Sequence, residues 1–329
     1  MPVFVHHDCR RQKEPPHRGA PLRAAVGCLL LFSVISVDVV ATDLVVDNVR
    51  GSDVQNDRGQ APAAPSFGPY RTINRALAVA QPGDRIILTK TPIPYRECIS
   101  LTGINNSGSP QTPFRILGNG ATVDGSEPPR PDGWDVVPDV HDVWRYRQSP
   151  PGFGLLLSST GGWQSLPPRD NGLLPLTQLE PKSWTRQAAS IYIRTEPGKG
   201  PRDYPLQMTM LATGITLYDV QHVVIEDLVV RGFRLDGVNA HERVTDTVLR
   251  NVTAEFNGRS GISIGGASEV LVRQSQVQEN GTAQLRTEGR GVIRLQEVTV
   301  DENSAPAISH DGGSVRGQWQ PLASDTESR

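Results

Sequence analysis

Apolar and polar positions recur with a fixed period over residues 213–311. A column of mostly small residues runs Gly214, Gly237, Gly261, Gln284, Ala307, in steps of 23, 24, 23 and 23 residues. An apolar residue follows each: Ile215, Val238, Ile262, Leu285, Ile308. Two more apolar columns keep step, Ile225/Leu249/Val272/Leu295 and Leu228/Val252/Ser275/Val298, with the polar column Asp227/Asn251/Gln274/Glu297 between them. Each period holds three short alternating segments, which predict three strands separated by turns. A single rung cannot bury its apolar face alone, so rungs stack. The pattern predicts a solenoid, a parallel β-helix. The polar column predicts tight corners, because Asn and Asp tolerate the left-handed conformation and bond their own backbone.

Upstream, Leu44-Val45-Val46 opens a strand, followed by a Gly/Pro/Asn/Asp-rich loop. Ile73, Ala76, Leu77 and Ala80 share one helical face, with Thr72 as N-cap and Pro82-Gly83 as terminator. Arg85 to Leu88 reads as the next strand. Residues 126–210 break the period and carry Trp134, Trp144, Trp163 and Trp184, four of the five tryptophans, among many prolines. They predict an irregular coil with long loops on one face. Residues 312–329 are polar and aperiodic, which predicts a short, partly disordered tail or end cap.

Composition fits a turn-rich β protein: 32 Gly, 27 Pro and 5% aromatic residues in a chain of 329. A solenoid grows along its axis without a new core, so one domain over residues 42–311 is expected. The N-terminus is set apart. Arg10, Arg11, Lys13, Arg18 and Arg23 precede a mostly apolar run from Ala24 to Val37, and small residues at 39–41 precede Thr42. Residues 1–41 therefore read as a secretory signal peptide, with a long basic region that would also fit a start codon set too early. The alternative, a membrane anchor, is opposed by the shortness of the run and by Asp38. Without residues 1–41 the chain has 28 basic and 32 acidic residues. No basic patch points to nucleic acid, and only Cys98 remains, so no internal disulfide can form. The expected product is a secreted or periplasmic monomer, free of the membrane once the signal is cleaved.

Three stretches carry a family resemblance. YRTINRALAVAQPGDRIIL, then YRE, then NNSGSPQTPFRILGNGATVDGS resemble the N-terminal part of secreted right-handed parallel β-helix proteins, the pectate lyases and other polysaccharide lyases among them. SIYIRTEPGKGPRDYP resembles the strand and turn found there before the regular coils. The resemblance spans residues 44–125 and 188–311. It is specific for fold and weak for activity. It implies that the 73–80 helix caps the open end of the solenoid, and that sugar lies along the strand bearing the Gly-Ile repeat.

Along that strand, rungs stack about 4.8 Å apart, so each column is a ladder. The outward column is Thr216, Asn239, Ser263, Arg286, Ser309; the column before Gly contains Asp236 and Ser260; the column after the strand is Tyr218, His241, Gly265, Glu288, Asp311. The densest polar group is Asp236, Asn239, His241, Tyr218, Arg259 and Arg286. A lyase needs a base and a cation for the uronate carboxylate. His241 could be acid or base, and Arg259 or Arg286 could serve either role. A glycosidase needs two carboxylates about 5–10 Å apart, and Asp236 has no evident second. LDGVN at 235–239 and SGISIG at 260–265 resemble polygalacturonase motifs. However, Arg234 and Leu235 stand where that family has Asn and Thr, Ser260 stands for its His, and the intervening carboxylates are missing. No Lys follows Lys199. No Asp cluster resembles a Ca²⁺ site, so no metal ligand is named, although Ca²⁺ would suit such chemistry.

These residues set catalytic candidates at Asp236, His241, Arg259 and Arg286. Tyr218, Asn239, Trp163 and Trp184 are the candidates for sugar contact. The tryptophans either stack on sugar rings or pack loops onto the solenoid. Asp236 and His241 are either site residues or solvated surface. His310 falls on an inward column. The sequons at Asn105, Asn251 and Asn280 read as turns. The expected partner is an acidic polysaccharide, bound or cleaved by β-elimination; the alternative is a non-catalytic surface or matrix-binding module.

Overall fold

In the computed structural model, the described residues are 41–54, 68–150, 152–158, 164–165, 174–302 and 304–321. The expected signal peptide falls almost wholly outside them, as does Trp163. Fifteen strands join in one parallel sheet that coils on itself. Its first face stacks Ile99–Thr102, Ile215–Tyr218, Asp236–His241, Ser260–Ile264 and the starts of Ala283–Gln296 and Ile308–Arg316. Its second face runs from Asp43–Val46 through Arg85–Leu88 to Glu269–Arg273 and beyond. Its third ends with Gln276–Gln278, Val298–Val300 and Trp319–Pro321. Long strands such as Val223–Arg231 and Thr247–Glu255 bend from the second face into the third.

The period works as its residue types dictate. Ile215, Val238, Ile262 and Leu285 lie on paired registers and are fully buried. Each such side chain removed from water contributes about 1.5–3 kcal/mol. Asp227, Asn251, Gln274 and Glu297 all hold φ between 49° and 57° at the corner between the second and third faces. Asn251 donates to Asp227 at 2.7 Å and Gln274 to Glu297 at 2.9 Å, so the corners are also tied rung to rung. Ser275, the polar member of an apolar column, is buried because its hydroxyl accepts the Val252 N–H and donates to the Arg273 carbonyl. At the corner leading back to the first face, buried Asn257 and Asn280 bond each other and the turn backbone. Asn280 is thus an interior residue despite its sequon.

The helix Ile73–Val79 forms with Thr72 as N-cap, whose hydroxyl accepts the Arg75 N–H at 3.1 Å. Ile73, Ala76, Leu77 and Ala80 join the core of the coil.

Residues 126–210 differ from the expected irregular coil. They leave the solenoid at one corner, between a third-face strand and the first-face strand Ile215–Tyr218, and build sheets of their own. Trp134–Val136, Val143–Arg147, Ser190–Arg194 and Ser183–Gln187 pair antiparallel. Ser126–Glu127, Leu206–Thr209 and Leu156–Ser158 form a second antiparallel sheet. Tyr146, Trp184, Ile191, Ile193, Leu206 and Met208 fill a separate core. The solenoid also extends past its expected end at 311. Ile308–Arg316 and Trp319–Pro321 add parallel strands, so residues up to 321 are coil rather than tail. Among the described residues, no helix is long and apolar enough to cross a membrane.

Candidate functional site

The first face presents its outward side chains in register. Thr216, Asn239, Ser263, Arg286 and Ser309 stand in one row, and Tyr218, His241, Gly265, Glu288 and Asp311 follow in the next. The candidates drawn from the sequence do converge here, but with unequal access.

Asp236 is fully buried rather than poised at the surface. Its carboxylate accepts two parallel bonds from Arg259, Nε to Oδ1 at 2.9 Å and Nη2 to Oδ2 at 2.5 Å. Ser260 Oγ and Asn239 Nδ2 complete its shell at 2.7 and 2.9 Å. Asn239 is itself buried. The Asp236 hydrogen bonds hold the Arg259 guanidinium protonated more firmly than usual. A carboxylate with four donors and no exposure braces the face and does not reach a substrate. The Oδ1 of Asn239 and the hydroxyl of Ser263, paired across adjacent rungs, are buried without a partner.

The accessible group lies one row over. Tyr218 is 47% exposed. His241 is half-buried and leans along the row. A methyl group at Gly265 would sit 3.1 Å from His241 Nδ1 on one side and 3.5 Å from the Glu288 Cβ on the other. Gly265 is buried, and the His241 imidazole lies over it in the place a side chain would take. Glu288 is fixed by Arg286 Nε at 2.6 Å, and Arg286 Nη2 also reaches Asp311 at 2.7 Å. Glu288 and Asp311 are site residues that the candidate set above omits, although they share the column of Tyr218 and His241. Arg286 is held by two carboxylates, so an incoming anion must replace one of them.

One expected contact, Trp184, lies elsewhere, and His310, expected on an inward column, points outward. Trp184 is 6% exposed, packed in the core of the inserted sheets. It serves packing, as Trp134 does against Tyr146, edge to face with centroids 5.2 Å apart. His310 is exposed on the last first-face strand, its Nδ1 2.8 Å from Thr287 Oγ1. Among the described residues, no three or more His, Cys, Asp or Glu converge as a metal site.

The stacked parallel rungs and the single coiled sheet define a right-handed parallel β-helix protein. Residues 208–318, about a third of the chain, match the family model described as right handed beta helix region. No curated protein matches the chain. Solved structures similar to it include "The complex structure of XylC with xylose" (14% identity, 85% of this chain and 70% of that chain, TM-score 0.42). They also include a "Glycoside hydrolase" (11%, 79% and 73%, TM-score 0.48). A third is "Crystal structure of pectate lyase Pel9A" (12%, 88% and 78%, TM-score 0.30). Likeness at this level carries no statement about activity.

Proposed function

We propose that the chain is a secreted β-helix protein that binds an acidic polysaccharide along the outward row of its first face. The observation that carries this reading is the polar row along one edge of the first face, where Tyr218, His241, Glu288 and Asp311 follow one another on successive rungs with Gly265 beneath the His241 ring. Rungs repeat about every 4.8 Å, so a chain lying along the row meets a polar or aromatic side chain on every rung but that of Gly265. Tyr218 offers a ring for a sugar face, and His241, Glu288 and Asp311 offer acceptors for its hydroxyls. Binding suits the geometry better than hydrolysis, because Asp236 is closed off and Glu288 and Asp311 share one arginine.

One observation favours a second reading, β-elimination. His241 lies over Gly265 next to the Glu288 Cβ, and Arg286, bonded to Glu288, stands beside it as a cation for a uronate. In that reaction His241 takes the proton at the carbon next to the carboxylate, and the glycosidic oxygen leaves from the neighbouring carbon.

Binding isotherms on polygalacturonate, alginate, a glycosaminoglycan and an uncharged glucan test the proposal, with wild type beside Tyr218→Ala and His241→Ala. Loss of about tenfold in affinity in either variant is expected. No binding by the wild type to any of the four would retire the reading. Ultraviolet detection of unsaturated uronides, lost in His241→Ala, would establish the lyase.

A further inference from the structure

At the corner that feeds the first face, the segment Gly152–Leu155 of the insertion lies directly on the turns of the coil. A Cβ at Gly258 would fall 1.9 Å from the Phe153 carbonyl oxygen and 2.4 Å from that of Arg234, and one at Gly281 would fall 2.9 Å from Leu155 Cδ2. Glycines at these turns are what allow the approach.

Three side chains gather on this short segment with polar atoms buried and unbonded. Arg186 lies over the Phe153 ring, its guanidinium carbon 5.7 Å from the centroid, and its Nη1 has no partner. Arg234 brings Nη1 to 3.3 Å from where a Gly152 Cβ would be, and its Nε has no partner. Gln148 is 8% exposed, packs against Gly154, and its Oε1 is unpaired. On the first face, Arg259 has Asp236, and Arg286 has Glu288 and Asp311. Arg186 and Arg234 have none. Burial alone lowers the proton affinity of Arg186, with no acid to offset it. Leaving a guanidinium half-buried and unpaired is unfavourable unless an anion completes it.

We propose that Arg186 and Arg234 form an anion-recognition site that takes the carboxylate or sulfate groups of an acidic glycan. The guanidinium fork matches the two oxygens of either group. Arg234 is two residues before Asp236, so the site borders the edge where the first-face strands begin, across that face from the Tyr218–Asp311 row. The inference rests on the proposed glycan reading and adds what that row lacks, cations not already held by carboxylates.

The test uses the full chain and the variants Arg186→Met, Arg234→Met, the double variant, and Arg294→Gln. Arg294 is an exposed second-face arginine paired with Glu269, so its variant controls for net charge alone. Affinity for polygalacturonate and dextran sulfate is expected to fall about tenfold or more in each Met variant, with dextran as the uncharged probe unaffected. Removing an unpaired half-buried cation should leave Tm unchanged or raised, which separates lost binding from lost fold. Equal affinity of wild type and the double variant, or an equal loss in Arg294→Gln, overturns the site. Free galacturonate and sulfate give an independent reading: each should raise the wild-type Tm, and neither should raise that of the double variant. That shift would stand even if no polymer bound the Tyr218–Asp311 row, in which case only the polysaccharide reading falls. No Tm shift in the wild type overturns the site.

Discussion

The Arg259 guanidinium lies parallel to the Asp236 carboxylate, joined by bonds of 2.9 and 2.5 Å, and covers a carboxylate with no exposed surface. The two residues sit on successive rungs, so the pair ties one first-face strand to the next. Its two ends are unequal. Arg259→Met leaves a buried carboxylate with only Ser260 and Asn239 as donors, and is expected to cost about 3–5 kcal/mol in urea unfolding. Asp236→Asn leaves a guanidinium that is 20% exposed and still lies in the field of Glu288, so its cost should be smaller. Because Asp236 does not reach the surface, Asp236→Asn should retain glycan binding in proportion to its folded fraction. A loss of binding at full folding would return Asp236 to the site.

The extent to which the sequence revealed these features follows from what repeats. Rung positions are set by a local grammar, one apolar residue per strand and one left-handed corner, and Asp227, Asn251, Gln274 and Glu297 occupy that corner as their column predicts. The insertion has no period, so its sheets could be found only from local alternation, as in the Val143–Arg147 and Ser190–Arg194 strands. Within the site, the columns identified which residues point outward but not which remain accessible. Asp236 is buried because Arg259 from the next rung folds across it, and Asn239 is buried beside it with its Nδ2 on the Asp236 carboxylate. Glu288 and Asp311 were visible in the column but unremarkable until Arg286 was seen to join them.

Glu97 sets a pH dependence. Its carboxylate accepts the Ile73 and Asn74 N–H groups at 2.9 and 3.0 Å, at the start of the helix, and the Asn74 side chain at 3.0 Å. Burial raises its pKa above the ordinary glutamate value, outweighing these hydrogen bonds. Between the ordinary and the raised value, the folded chain binds more protons than the unfolded chain. Stability contributed by this group is therefore present below the ordinary value and lost as pH rises through the folded one. Glu97→Gln should flatten that part of the Tm profile between mildly acidic and neutral pH. An unchanged slope would assign the dependence to other groups.

Asn257 tests the interior corner. Its Oδ1 accepts the Phe233 N–H at 3.1 Å, and its Nδ2 donates to Asn280 and to the Val230 carbonyl. Asn257→Ala leaves a buried N–H unpaired and opens a void, for an expected loss of about 2–4 kcal/mol. Asn280→Ala should cost a similar amount. Because the two share a bond, the double variant should cost less than the sum, measured by a double-mutant cycle in urea.

Gly265 separates fold from function most cleanly. Its φ lies outside the left-handed region, so the backbone accepts a side chain, and a Cβ there comes to 3.1 Å from the His241 ring and 3.5 Å from the Glu288 Cβ, so the ring must give by a few tenths of an ångström. His241 is half-buried and can turn aside. Gly265→Ala should therefore stay within about 0.5 kcal/mol of wild type. Gly265→Leu would push the His241 ring out of its place over this rung while still projecting outward, away from the core formed by Ile262 and Ile264. Affinity for polygalacturonate should fall several-fold for Ala and beyond detection for Leu, with both variants folded by circular dichroism. If Gly265→Leu is folded and binds as wild type, the glycan does not run along the Tyr218–Asp311 row, whatever the arginines at the insertion do.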